Sequence, residues 1–202
     1  MQITLSQAGK RFNNNWVFKN ISQAILPNTA CSITGANGAG KSTLLQILMG
    51  YTSLTLGQLQ WHYNNTNINP ENIYKYLSFC SPAMMLLTEF TAAEIINFNA
   101  AVKPMHTNNI TEILQAVNLQ KAQNQYIKNF SSGMLQRLKL ALAFYTNTPL
   151  LLLDEPTANL DQQGKTIYKN LIQNHLGKRT IIIASNDALE YDFCTQNIAI
   201  LK

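Results

Sequence analysis

Apolar and polar positions alternate with a period of two along "MQITLSQ", which predicts a strand over residues 2–7. Two further runs, 21–26 and 30–34, read as strands separated by a turn at "PNT". A glycine-rich stretch then opens an apolar helix over about 42–49. "GQLQWHY" alternates again and reads as an edge strand, and 77–80 reads as a short buried strand. From 91 to 126 the spacing becomes helical. "TAAEIINFNAAV" and "ITEILQAVNL" each carry an apolar face, with Thr91 and Thr111 as capping residues near their starts. A stronger helix, rich in Leu and Ala, is predicted over 131–144. The four leucines from Leu150 to Leu153 suit a strand covered on both faces. A helix over 161–175, a buried strand over 180–185 and a last strand in "NIAIL" complete the pattern. Strands alternating with helices predict an α/β domain. The helical stretch at about 85–130 is expected to be an inserted subdomain within a single domain spanning 1–202.

Composition narrows the class. Of 202 residues, 46% are hydrophobic and 12% charged, which suits one compact domain with a sizeable core. The net charge of +5 is scattered and forms no basic stripe with interleaved aromatics, so nucleic acid is not an expected partner. Cys31, Cys80 and Cys194 stand far apart, without CxxC or metal-ligand spacing, as expected in a reducing cytoplasm. His62, His106 and His175 are isolated. The start lacks the apolar core of a signal peptide. No uncharged apolar run reaches the roughly 18 residues that a membrane span needs. The longest, "LALAFYTNTPLLLLD", is broken by Asn147, Thr148 and Pro149. A soluble chain that docks on a membrane partner is therefore compatible with the sequence.

Candidate chemistry begins with "GANGAGKST". Gly35, Gly40, Lys41 and Ser42 satisfy G-x-x-x-x-G-K-[ST], the Walker A pattern, between a predicted strand and a predicted helix. The glycines let the backbone curl so that successive N–H groups face a phosphate. The helix N-terminus adds partial positive charge. Gly35, Ala36, Asn37, Gly38, Ala39, Gly40, Lys41, Ser42 and Thr43 are thus candidate nucleotide-binding positions. Lys41 is expected at the β- and γ-phosphates, Ser42 at Mg²⁺, and Thr43 at a further phosphate oxygen. No Asn-Lys-x-Asp guanine reader occurs, which argues against a GTPase.

"LLLLDEPTANLD" supplies the complementary carboxylates. Asp154, at the tip of a buried strand, is expected to hold Mg²⁺ directly or through water. Glu155, next along, is the candidate group that polarises the attacking water.

Upstream lies "FSSGMLQRLKLALAF". Together these segments resemble the ATP-binding cassette family of ABC transporters, whose signature is Leu-Ser-Gly-Gly-Gln followed closely by Gln and Arg at a helix start. Here it reads Phe130, Ser131, Ser132, Gly133, Met134, then Gln136 and Arg137. "ANLD" resembles the family's D-loop, and Phe12 stands where the family places an adenine-stacking aromatic, with a core role as the alternative. The resemblance spans essentially the whole chain. It implies a P-loop NTPase core with an N-terminal antiparallel β subdomain and an inserted α-helical subdomain. It also implies an ATPase using ATP and Mg²⁺. Ser131 and Gly133 would close over the γ-phosphate held by the opposing subunit of a homodimer or heterodimer.

The chain departs from the family in two places. Where the family has a Gln after the strand matching "YLSFC", Pro82 falls closest. Where it has a His after the penultimate core strand, this chain has Asn186. Asn186 can donate an amide hydrogen bond to a phosphate but carries no charge. Slowed hydrolysis is expected from these two departures, but not its absence, since Lys41, Ser42, Asp154 and Glu155 are all present.

The family analogy implies a separate transmembrane permease subunit and a cytoplasmic site at the inner face of the membrane. "AMMLLTEF" is where the family receives its partner; Met84, Met85, Leu86 and Leu87 either face that partner or fill the subdomain core. The chain stops just after the last predicted strand, so no C-terminal regulatory domain is expected. Compact cassettes of this kind occur in exporters, including the haem-exporter type, so analogy leans to export. Two alternatives remain: a soluble cassette ATPase of another class, and a slow ATP-gated regulatory cassette.

Overall fold

The computed structural model describes residues 1–201. Its strands are β1 (Gln2–Phe12), β2 (Asn15–Ile25), β3 (Ala30–Thr34), β4 (Leu56–Tyr63), β5 (Thr66–Ile68), β6 (Leu77–Cys80), β7 (Leu150–Asp154), β8 (Thr180–Ala184) and β9 (Gln196–Ala199). Its α-helices are α1 (Lys41–Leu48), α2 (Ala92–Val102), α3 (Ile110–Ala116), α4 (Ser132–Tyr145) and α5 (Gln162–His175). The chain forms two compact units. The first comprises Met1–Leu77, Pro149–Asp154 and the chain from Leu176 onward, and the second comprises Ser78–Thr148 and Glu155–His175.

In the first unit, an antiparallel sheet runs β2-β1-β4-β5. Ile3 and Leu5 of β1 are buried while their neighbours Gln2 and Thr4 are only partly so, as the period of two requires. β4 is not an edge strand: Trp61 pairs with Ile3 on one side and with Ile68 on the other. The reason is the turn that follows it. Asn64 and Asn65 both take positive φ, 48° and 60°, the two-residue geometry that folds a strand back on its neighbour. The returning strand is only three residues long and mostly polar, so alternation in the sequence does not reveal it.

The same unit holds a parallel sheet in which β7, β8, β3 and β9 are successive neighbours. Leu150–Leu153 and Ile181–Ile183 are fully buried, as strands covered on both faces should be. α1 turns Leu44, Leu45, Ile47 and Leu48 inward. Its C-terminus is tied to the antiparallel sheet by Trp61, whose indole N–H donates to the Leu48 carbonyl at 3.0 Å.

In the second unit, Thr91 caps α2 in a reciprocal box: its hydroxyl accepts from the Glu94 N–H, and the Glu94 carboxylate accepts from the Thr91 N–H at 2.8 Å. α3 is capped by Asn109 rather than Thr111, because the Asn109 side chain reaches the Glu112 N–H at 3.3 Å and Thr111 falls inside the first turn. α4 and α5 belong to this unit as well as the helices of the 85–130 stretch. Among the described residues, no helix is long and apolar enough to cross a membrane.

Candidate functional site

The candidate site begins at the carboxyl ends of the parallel strands, where open α/β sheets bind ligands. β3 leads through Gly35–Gly40 into α1. Gly35, Gly38 and Gly40 all take positive φ. A Cβ at Gly35 would stand 2.8 Å from the Ile200 carbonyl oxygen, and one at Gly40 would run into the Val17 side chain. Only glycine meets both demands. Gly40 is the N-cap of α1 and supplies no side-chain cap, so the first-turn amides remain available to an anion. Lys41 is buried, and its Nζ donates to the carbonyls of Gly35 at 3.0 Å and Ala36 at 3.3 Å. The ammonium is thereby folded over the loop that precedes it. Ser42, in the first turn, is exposed, and Thr43 is half-buried.

Strand register sets the next group. Asp154 pairs with Ala184, and Ala184 pairs with Ile33. The carboxylate at the tip of β7 therefore lies in the row that ends just before the glycine loop. One strand over, the chain leaving β8 passes through Ser185 to Asn186. The Asn186 amide donates to Asn37 Oδ1 at 2.9 Å. The turn is braced behind it: the Asp187 N–H donates to Ser185 Oγ at 2.9 Å, and Leu189 N–H donates to Asp187 Oδ1 at 3.0 Å.

Phe12 ends β1 with 49% of its surface exposed, which is not the packing of a core residue. Lys10 holds its Nζ 4.8 Å from the Phe12 ring centroid while donating to Thr52 Oγ1 at 3.1 Å and to the Ser53 carbonyl at 2.7 Å. Sequence reasoning missed Lys10; its signal was the short interval in "GKRF".

In the second unit, Glu155 directly follows Asp154 and takes φ 42°, a region costly for a residue with a side chain. Its carbonyl accepts from the Ala158 N–H at 3.1 Å, which closes the turn. Ser131 caps α4, its Oγ accepting from the Met134 N–H at 3.2 Å. A Cβ at Gly133 would stand 3.3 Å from the Asn159 carbonyl oxygen, so the signature turn and the "ANLD" segment pack closely.

Of three further polar α4 residues, Gln136 and Arg137 were read only as part of the signature, with no partners assigned, and Lys139 went unrecognised. Gln136 is 1% exposed, and its Nε2 donates to the Pro156 carbonyl at 2.9 Å. Arg137 Nη1 donates to the carbonyls of Val117 at 3.0 Å and Asn118 at 3.2 Å, capping the end of α3. Lys139 donates to the carbonyls of Ser81 at 3.4 Å and Pro82 at 2.7 Å. Burial lowers the Lys139 pKa from its ordinary value. Beyond Pro82, exposure alternates: Met84 and Leu86 are half-buried, while Met85 is 87% and Leu87 50% exposed.

Comparison with known proteins gives consistent matches. A family model described as "ABC transporter" matches residues 18–158. The zinc import ATP-binding protein ZnuC of Buchnera aphidicola is 31% identical, over 92% of this chain and 74% of that protein. The bacitracin transport ATP-binding protein BcrA of Bacillus licheniformis is 33% identical, over 83% of this chain and 56% of that one. ABC transporter A family member 8 of Dictyostelium discoideum is 31% identical, and the chain spans only 22% of its length. Among solved structures, an ABC transporter ATP-binding protein of Pyrococcus furiosus superposes with a TM-score of 0.81 at 20% identity, covering 99% of this chain and 98% of that one. A dimeric ATP-binding cassette bound to ADP and Pi superposes with a TM-score of 0.79 at 21% identity, covering 98% and 94%.

Proposed function

The chain belongs to the ABC transporter family, and on that premise we propose that it is the ATP-binding and hydrolysing subunit of such a transporter. Two copies, or this chain and a related one, close around ATP and drive a separate membrane-embedded permease from its cytoplasmic face. The observation that carries this reading is the buried Lys41 ammonium held against the Gly35 and Ala36 carbonyls of a loop that tolerates only glycine at its ends.

The residues present fit the implied ligands. The uncapped first turn of α1 offers amides to a phosphate. Ser42 and Asp154 offer a hydroxyl and a carboxylate, the hard oxygen donors that Mg²⁺ takes. When bound, Mg²⁺ would neutralise phosphate charge. Lys41 balances charge at the β- and γ-phosphates, and Thr43 adds a further donor. Gly35, Ala36, Asn37, Gly38, Ala39 and Gly40 cradle the phosphate chain through their backbone. Glu155 accepts a proton from the attacking water. Asn186, anchored on Asn37, donates its remaining amide hydrogen toward the γ-phosphate. Phe12 stacks on the adenine. Ser131 and Gly133 complete the partner copy's site. Because Asn186 is neutral where a histidine can carry charge, hydrolysis is slow rather than absent.

Radiolabelled ATP binding and phosphate release by the purified chain test this reading. The parent chain is expected to bind and hydrolyse ATP, and Lys41→Ala to lose binding. A parent chain that neither binds nor hydrolyses ATP overturns it. Affinity purification in mild detergent from the native cells tests the transport role: a multi-span membrane protein is expected, and soluble partners alone contradict it.

A further inference from the structure

We propose that Lys139 is a positioning residue that clamps the Ser81–Pro82 loop onto α4, so that a load on the Met84–Leu87 segment reaches the signature turn at Ser131–Gly133. This rests on the reading of the chain as a cassette that takes its load from a partner.

Lys139 is 3% exposed, in the middle of a helix of buried leucines and alanines. A lysine there is costly unless its three donors are used. Its partners are backbone carbonyls, Pro82 at 2.7 Å and Ser81 at 3.4 Å. No acidic side chain is among them. The Ser81 carbonyl has a second donor, the Met84 N–H at 3.2 Å, and Ser81 Oγ accepts from the same N–H at 3.1 Å. One carbonyl thus joins the ammonium on α4 to the backbone at the start of the Met84–Leu87 segment. This is the loop in which proline stands at a position where a side-chain donor and acceptor was expected. Pro82 has no polar side chain and no N–H, and it contributes its carbonyl instead.

The other end of the linkage is α4 itself. Eight residues separate Ser131 from Lys139, about two turns, or about 12 Å of helix. Gln136 lies one turn before Lys139 and donates to the Pro156 carbonyl at 2.9 Å, just past Glu155. At a spacing of three residues the two side chains share a face of the helix. A single rigid element therefore carries the signature turn, a tether to the loop after Glu155 and a clamp on the loop before Met84.

A lysine that merely filled space would be improved by an apolar residue of the same length, since burying an ammonium is unfavourable. The two roles therefore separate experimentally. Hydrogen exchange of the full chain is compared for the parent, Lys139→Met and Lys139→Arg, together with kcat and KM for ATP. The proposal expects Lys139→Met to hold the parent's melting temperature to within a few degrees, because the Ser81 carbonyl keeps the Met84 N–H and the carbonyl of half-buried Pro82 can turn to water. Amide exchange over 81–90 and 131–135 rises by about tenfold, as loss of charge-assisted hydrogen bonds implies. kcat falls while KM is unchanged, and Lys139→Arg restores both exchange and kcat. Should Lys139→Met fail to fold, Lys139→Gln, which is too short for the clamp but retains a donor, replaces it with the same expectations for exchange and kcat. Unchanged exchange in both segments overturns the proposal, as does equal loosening across the whole second unit. Exchange is read without nucleotide, so a parent chain with no ATPase activity would overturn the cassette reading alone.

Discussion

The side-chain amide of Asn186 donates to the side-chain oxygen of Asn37 at 2.9 Å, joining the turn after β8 to the middle of the phosphate loop. One of the two amide hydrogens is used in that bond, and the second remains to be directed at a ligand. Asn186→Ala removes both the brace and the donor. It is expected to lower kcat for ATP hydrolysis by at least about tenfold, the range seen when a charge-stabilising donor is lost. Equal steady-state rates would show that Asn186 has no part in the reaction. The parent's kcat should lack a transition near pH 6.5, where a histidine titrates, and Asn186→His should introduce one.

Gly40 cannot be replaced. Its φ of 110° is strained for any side chain, and the added Cβ meets Val17. Gly40→Ala is expected to cost about 1–3 kcal/mol of stability and to abolish ATP binding. Urea denaturation and equilibrium dialysis measure the two effects.

Gln136→Leu leaves the Pro156 carbonyl buried without the donor it has now. A destabilisation of about 1–3 kcal/mol is expected in urea denaturation. Proteolysis within the segment from Glu155 to Asp161 should also quicken. A change below about 0.5 kcal/mol would mean that the carbonyl finds another donor.

The thiols report the integrity of the first unit. Burial pushes Cys31 from an ordinary 9.0 up to about 12, and Cys194 likewise, with the Cys31 thiol and Asp192 adding to the rise at Cys194. The thiolate is the reactive form. Cys31 and Cys194 are expected to resist iodoacetamide at pH 8 in the folded chain and to react in urea. Since the folded pKa is raised, the unfolded chain releases these protons first as pH climbs. The stability they contribute is complete below pH 9 and is lost between 9 and about 12.

Met85→Asp should leave the melting temperature unchanged, because the side chain is 87% exposed. It should reduce co-purification of a membrane partner in mild detergent. Undiminished co-purification would remove the Met84–Leu87 segment from the docking surface.

What was legible in the sequence followed from local physics. Leu150–Leu153 and the strand–loop–helix order around the glycine loop are each set by a handful of neighbouring residues, and the structure places them as read, whereas Ser131, read as the first residue of a helix, is instead its cap. The inner position of β4 was not legible, because it depends on a two-asparagine turn whose positive φ values the alternation pattern does not reveal. Lys139, and the inward role of Gln136, were missed for a different reason. In "MLQRLKLALAF" spacing marks a buried helix but does not say which polar residue is turned inward or what carbonyl awaits it. A lone lysine flanked by leucines was the available signal. Thr111 lost the cap of α3 to Asn109 because both types suit the position and only the path of the chain decides.

Light scattering of the Glu155→Gln chain, with and without ATP, alongside phosphate release by the parent, tests the central claim most directly. Removing the proton acceptor should leave ATP uncleaved between two copies. The account predicts a chain of 22.6 kDa that doubles its mass only when ATP is present, no phosphate release by Glu155→Gln, and slow release by the parent. A Glu155→Gln chain that stays monomeric with ATP and hydrolyses it at the parent's rate would contradict it.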